Sequence, residues 1–155
     1  MRVQDLMSHP AITCRGNDDL TVPSKLMWEH DCGMVTVVRD DGKLVGVITD
    51  RDIAMAAYTQ GRALSEIYVV SAMARHVVSA TPDQRIGDVE RLMVANQVRR
   101  IPIVDADAKP IGVLSLNDLA NEAVQPDTQM KDAFSNIAHT LAAICRPRSE
   151  IQQAA

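Results

Sequence analysis

The sequence predicts an α/β protein built from two copies of one β-α-β-β-α unit, followed by a C-terminal amphipathic helix. Three observations carry this expectation. First, one phrase occurs twice, as Gly46-Val47-Ile48-Thr49-Asp50-Arg51-Asp52-Ile53 and as Gly112-Val113-Leu114-Ser115-Leu116-Asn117-Asp118-Leu119. Second, the offset from Gly46 to Gly112, 66 residues, brings the rest of each unit into register without a gap. It lays Met7 on Met73, Leu26 on Leu92, Met27 on Met93, Val35 on Ile101 and Lys43 on Lys109. A self-similarity of that length marks a duplicated folding unit. Third, each copy alternates a helical apolar spacing with short Val- and Ile-rich runs around a turn, the pattern of mixed helices and strands. The boundaries expected are 1–62 and 63–124 for the two repeats, 127–146 for the helix and 147–155 for a flexible tail.

Each copy opens with a short extended stretch, Ala11 to Cys14 or Val77 to Ala80, followed by a polar turn. In the second copy Ile86, Val89, Leu92 and Met93 form one helical face. In the first, Pro23 stands in the place of Val89. Proline is tolerated in a first helical turn, so that helix is expected to start near Thr21 or Val22. A hairpin follows, Met34 to Arg39 and Leu44 to Thr49 around Asp40-Asp41-Gly42, with Arg100 to Asp105 and Pro110 to Ser115 as its counterpart. Asp-Gly favours the positive φ angles of a hairpin turn. Second helices are expected over Arg51 to Thr59 and Asn117 to Ala123. Beyond Pro126, residues Met130, Phe134, Ile137, Leu141 and Ile144 recur at three- and four-residue steps, an amphipathic helix of about four turns.

Composition narrows the class. The chain has 155 residues, 46% apolar and 23% charged, as in ordinary soluble domains. A 66-residue unit buries too little surface to be robust alone, so the copies should pack together. No apolar run approaches the roughly 20 residues that span a bilayer, and the N-terminus lacks a signal-peptide pattern. A cytoplasmic protein without a membrane partner is expected. A net charge of −4 and four aromatics, Trp28, Tyr58, Tyr68 and Phe134, argue against nucleic-acid binding. Cys14, Cys32 and Cys145 are too few and dispersed for a disulfide framework or zinc knuckle, and the four histidines form no ligand cluster. No nucleophile, base and orienting group stand in a recognisable spacing, so no enzyme and no metal are expected.

With these residues in view, the chain resembles a tandem pair of CBS domains, the regulatory modules named after cystathionine β-synthase; the pair is often called a Bateman module. The resemblance covers roughly residues 1 to 123. It rests on the element order, Met7 and Met73, the run Arg100-Ile101-Pro102-Ile103-Val104, and the two Gly-x-x-Thr/Ser-x-x-Asp phrases. It implies pseudo-twofold packing and two clefts, each able to take an adenosyl ligand such as AMP, ADP, ATP, S-adenosylmethionine or NAD, with no required cofactor. It also implies a homodimer, with an unidentified protein target as a further partner.

Residue chemistry suits that role. Thr49 and Ser115 stand where a strand meets a helix, able to cap it or to meet a phosphate. Asp52 and Asp118 are acceptors suited to the hydroxyls of a ribose. Gly46 and Gly112 allow a backbone bend or the close approach of a ligand. Val35-Thr36-Val37 and Ile101-Pro102-Ile103 would sandwich an adenine, with Thr13 and Ser79 closing the pocket. The copies differ where a phosphate would lie. The second carries Arg99-Arg100 against Gly33-Met34, and the first carries Arg51 against Asn117. Two unequal sites are expected, Arg100 favouring the second copy and Arg51 keeping the first in play. The plainer reading of each Thr/Ser-x-x-Asp phrase is a helix cap, close to a capping box. The alternative function is a structural dimerisation or adaptor protein with vestigial clefts.

Overall fold

The computed structural model describes residues 1–123, 140, 141 and 144. The first copy contains strand β1 (Thr13–Arg15), helix α1 (Thr21–Glu29), strands β2 (Met34–Val38) and β3 (Leu44–Thr49), and helix α2 (Asp50–Gln60). A short helix α3 (Val69–Ala72) leads into the second copy, which contains α4 (Ile86–Asn96), β4 (Arg100–Val104), β5 (Pro110–Ser115) and α5 (Leu116–Ala123). Helix α1 starts at Thr21 and accommodates the buried Pro23 in its first turn, as expected of a residue without an N–H.

The 66-residue offset holds at the level of registers. Met34 faces Thr49 as Arg100 faces Ser115, and both hairpins shift register at the same point, beside Val37 and Ile103. The turns correspond too, with Gly42 at φ +81° and Ala108 at φ +61°. Most of the two cores correspond by the same offset: Cys14, Met27, Val35, Val37, Ile48, Ile53 and Val69 in one, Ala80, Met93, Ile101, Ile103, Leu114, Leu119 and Val3 in the other.

The sheets depart from that symmetry. Strand β1 pairs in parallel with β2, giving three strands, but the stretch expected from Val77 to Ala80 contributes only a single bridge from Ala80 to Ile103. The reason is one residue. In the first copy Thr36 N–H donates to Ile12 O at 3.0 Å. Its counterpart, Pro102, has no N–H to give, so the parallel ladder cannot extend.

The copies exchange their leading segments. Val3, ahead of the first copy, is fully buried in the core of the second, and Val69, ahead of the second, is fully buried in the first. Ser8 and Val113 exchange two 2.9 Å backbone hydrogen bonds; Ala74 and Val47 exchange the equivalent pair at 2.9 and 3.0 Å. This close approach is what Gly46 and Gly112 provide. A β-carbon on Gly46 would lie 2.7 Å from Met73 Sδ and 3.0 Å from Ala74 O; on Gly112 it would lie 2.8 Å from Ser8 O and 2.9 Å from Met7 Sδ. The expected bend or ligand approach is thus corrected: a neighbouring chain segment fills the space. The expected spans 127–146 and 147–155 lie outside the described residues, save that residues 140, 141 and 144 are helical. Thr140 and Ile144 are buried, Ile144 in the second copy's core.

Candidate functional site

Each hairpin delivers a hydroxyl residue to the start of a helix, and the acidic residue three positions on closes the turn. Asp52 Oδ2 accepts from Thr49 N (2.9 Å) and Thr49 Oγ1 (2.8 Å), while Thr49 Oγ1 accepts from Asp52 N at 3.2 Å. Asp118 Oδ2 accepts from Ser115 N (2.7 Å) and Ser115 Oγ (2.6 Å) in the same way. Each phrase is therefore a capping box, which satisfies amide groups that would otherwise lack partners. Each cap uses one carboxylate oxygen, and each of the two carboxylates borders a cleft.

The two clefts are pseudo-symmetric, of about 350 and 380 Å³, sizes within the range of small-molecule sites. Both are composite. The Asp52 cleft takes Val47, Thr49, Asp50, Arg51 and Asp52 from the first copy, and its other wall from the second: Ala74, His76 to Val78, the turn Asn96 to Arg100, and Pro102. The Asp118 cleft takes Val113, Ser115, Asn117 and Asp118 from the second copy, with Ser8 to Pro10, Ile12 and the turn His30 to Met34 from the first. The turns match in backbone, Asp31 (φ +48°) and Gln97 (φ +52°) both being left-handed.

The fold and the paired clefts agree with comparison to known proteins. A family model for the CBS domain matches residues 3–58 and 64–125. The chain belongs to the CBS domain family. It is 34% identical over 137 residues to the CBS domain-containing protein YhcV of Bacillus subtilis, covering 88% of this chain and 95% of that protein. It is 30% identical over 118 residues to the L-aspartate semialdehyde sulfurtransferase of Methanocaldococcus jannaschii, covering 76% of this chain but only 22% of that enzyme. Among solved structures it is similar to the CBS domain pair of protein MJ0100 in complex with 5′-methylthioadenosine and S-adenosyl-L-methionine. There the TM-score is 0.71 and the identity 28%, over 79% of this chain and 98% of that one.

The CBS pair distributes its cations differently from the sequence expectation. Arg51 of the first repeat and Arg99 of the second line the same cleft, the one with Asp52. Arg100 borders both clefts, and its guanidinium lies against Gly33, where a β-carbon would be 2.6 Å from Nη2. Among the described residues none of these three side chains makes an ion pair or hydrogen bond. The Asp52 cleft therefore holds three guanidiniums against Asp50 and Asp52. Among the described residues the Asp118 cleft holds one guanidinium, Arg100, against Asp31 and Asp118, with Asn117 in the place of Arg51.

Other expected site residues fall elsewhere. Val35, Val37, Ile101 and Ile103 are fully buried in the repeat cores, because alternate strand residues face opposite sides. They supply no apolar wall to either cleft; of the two strand runs only Pro102, with Met34 and Arg100 at the strand starts, does so. Thr36 is fully buried and its Oγ1 donates to Ile12 O at 2.8 Å. Thr13 and Ser79 are exposed and border neither cleft; Ile12 and Val78, one residue earlier, do.

Residues that sequence reasoning missed are Ser8 and Ala74, which belong to the leading segments. Ser8 Oγ donates to Asp118 Oδ1 at 3.1 Å. The equivalent Ala74 has no hydroxyl, and among the described residues Asp52 Oδ1 accepts nothing. The signal was available: the offset aligns Ser8 with Ala74. A wider groove of about 700 Å³ near Arg15 and Arg39 is open, and those two arginines are paired with Asp40 and Asp41. Cys14 is buried, and burial, with a smaller push from Asp18, raises its thiol to about 12, so it holds its proton. No cluster of three metal-ligating side chains occurs among the described residues.

Proposed function

We propose that the protein is a cytoplasmic, non-catalytic regulatory module that binds an adenine nucleotide of the AMP, ADP or ATP kind in the Asp52 cleft and acts as a homodimer. The observation that carries the reading is Asp52 Oδ1. It is an open carboxylate acceptor beside a helix N-terminus, in a cleft with three unpaired guanidiniums. A ribose hydroxyl would donate to Asp52, and a phosphate would meet Arg51 and Arg99. The excess of guanidinium over carboxylate favours a phosphorylated adenosine over a sulfonium. The adenosyl ligands named for the MJ0100 domain pair support the ligand class. Because the cleft has one wall from each repeat, a ligand would favour one arrangement of the repeats over others, which is what regulation requires.

The dimer is supported by a surface asymmetry. Helices α1 and α2 expose Trp28 (89%) and Tyr58 (81%), and also Val22 and Met55. On the second repeat, Val22, Trp28 and Met55 are replaced by Asp88, Val94 and Asn121, and Ile144 packs into that repeat's core. Among the described residues, the exposed aromatics carried on helices lie on the first repeat alone, which fits self-association of two first repeats about a twofold axis.

Titration calorimetry with AMP, ATP, S-adenosylmethionine and NADH tests the ligand, and native mass spectrometry reads chain number and bound mass together. The expected result is two chains per particle, with AMP or ATP bound most tightly. Asp52→Asn should weaken that binding about tenfold or more, a charged hydrogen-bond acceptor being lost. Failure of every adenosine compound to bind below about millimolar, or unchanged binding by Asp52→Asn, overturns the ligand reading. A monomer overturns the dimer.

A further inference from the structure

We propose that residues 8 and 74 decide which cleft accepts a ribose, Ser8 acting as a resident occupant of the Asp118 cleft. This rests on the adenosyl reading above and adds to it a built-in cause for one ligand per chain.

The two carboxylates make the same cap hydrogen bonds and differ in what their second oxygen accepts. Both give Oδ2 to the helix cap, where it accepts from a backbone amide and a hydroxyl and has no lone pair left to offer. Any ligand hydroxyl must therefore use Oδ1. At Asp118 that oxygen already accepts from Ser8 Oγ at 3.1 Å. Ser8 is held in place by its two backbone hydrogen bonds to Val113, so the hydroxyl is delivered by the fold. At Asp52 the residue held in the same way, by Val47, is Ala74, and Oδ1 is open.

A second pair of positions biases the clefts in the same direction. Ile12 O, on the wall of the Asp118 cleft, accepts both Thr36 N at 3.0 Å and Thr36 Oγ1 at 2.8 Å. A carbonyl has two lone pairs, so it is spent. Its counterpart is Val78 O; Pro102, in the place of Thr36, offers neither an N–H nor a hydroxyl, and Val78 O accepts no hydrogen bond among the described residues. Among the described residues, the Asp118 cleft thus has both lone pairs of Ile12 O and one of the two on Asp118 Oδ1 engaged internally, whereas Val78 O and Asp52 Oδ1 accept nothing. Duplication supplied two sites; two substitutions between the copies silenced one.

The test is reciprocal exchange in the full chain, with adenosine as the probe, since it carries no phosphate and so sets aside the unequal cations. Wild type, Ser8→Ala, Ala74→Ser and the double exchange are titrated by calorimetry. Ser8 and Ala74 are both at least partly exposed, so the fold should tolerate the changes, and matched thermal melts check it. Wild type should bind one equivalent per chain and Ser8→Ala two. Ala74→Ser should weaken the wild-type site about tenfold or more, the worth of a hydrogen bond to a charged acceptor. In the double exchange, binding should become sensitive to Asp118→Asn in place of Asp52→Asn. If wild type binds one equivalent and Ser8→Ala still binds one, or Ala74→Ser is unchanged, this inference falls while the adenosyl reading stands. If neither adenosine nor AMP binds any variant, both fall.

Discussion

Gly112→Ala should destabilise the protein more than Gly46→Ala, although the two glycines occupy the same place in the repeat. At Gly112 the nearest obstacle to a β-carbon is backbone: Ser8 O at 2.8 Å. To restore an ordinary contact of 3.4 Å the Ser8 segment must retreat by roughly 0.6 Å. A retreat of that size stretches the two 2.9 Å Ser8–Val113 hydrogen bonds past the roughly 3.2 Å at which N–H···O bonds ordinarily end. Overpacking of about 1–3 kcal/mol and two weakened hydrogen bonds, each worth about 1 kcal/mol, put the loss at about 2–4 kcal/mol. At Gly46 the nearest obstacle is Met73 Sδ at 2.7 Å, part of a flexible side chain that can swing aside. Ala74 O at 3.0 Å then needs only a small shift, and about 1–2 kcal/mol is expected. For a chain of this size the Tm should fall by about 5–10 °C for Gly112→Ala and by less than about 5 °C for Gly46→Ala. Urea titrations monitored by circular dichroism, with thermal melts alongside, measure both. A double-mutant cycle sharpens the comparison: Met73→Ala should relieve more of the Gly46→Ala penalty than Met7→Ala relieves at Gly112, where the carbonyl obstacle remains. Equal penalties, or a larger one at Gly46, would refute the steric reasoning.

Two further outcomes follow from local features. Ala108 holds φ +61° in the turn where the first copy has Gly42 at φ +81°. Ala108→Gly should therefore stabilise by up to about 1 kcal/mol, and Gly42→Ala should destabilise by a similar amount; shifts of the same sign in urea midpoints would refute this. The carboxyl of Glu90 is raised above its ordinary value, chiefly because burial penalises the anion, with Arg91 opposing. A raised acid means that the folded state keeps a proton that the unfolded chain releases, so Glu90 supports the fold at low pH and loses that contribution as pH rises through its folded value. Glu90→Gln should raise the melting temperature at pH 7, with the advantage shrinking as pH falls through the raised folded value and gone by about pH 4.5, the ordinary value for glutamate. A difference that does not vary with pH would refute the assignment.

The element order was legible because a duplicated pattern tests itself. The helix start at Thr21, the hairpin at Gly42 and the caps at Thr49 and Ser115 each had a counterpart 66 residues away. The assembly of the clefts was not legible from the same evidence, since a repeat says that two units share a fold and not which unit a connecting segment packs on. Arg51 and Arg99 therefore read as features of opposite copies, yet they line one cleft. The strand alternation that sends Val35, Val37, Ile101 and Ile103 inward was available from the period of two, and it argued against their use as a ligand wall. One sequence clue to the exchange did exist. Gly46 and Gly112 occur inside strands, where glycine costs stability, and neither has a positive φ to justify it. A glycine of that kind implies something packed against it.

That packing joins stability to binding. Asp52 belongs to one repeat and Arg99 and Val78 to the other, so the Asp52 cleft exists only while the repeats hold their mutual position. The contacts that hold it include the Ala74–Val47 and Ser8–Val113 bridges, the 2.9 Å bond from Leu44 N to Ala108 O, and the exchanged Val3 and Val69. A ligand touching both walls adds its binding energy to that set, and the linkage is reciprocal. Gly112→Ala strains one bridge without touching the Asp52 cleft, and it should nonetheless weaken ligand binding there if the repeats move as a unit. Unchanged affinity in that variant, with the expected fall in Tm, would mean that the two bridges yield independently and that the Asp52 cleft senses only its own.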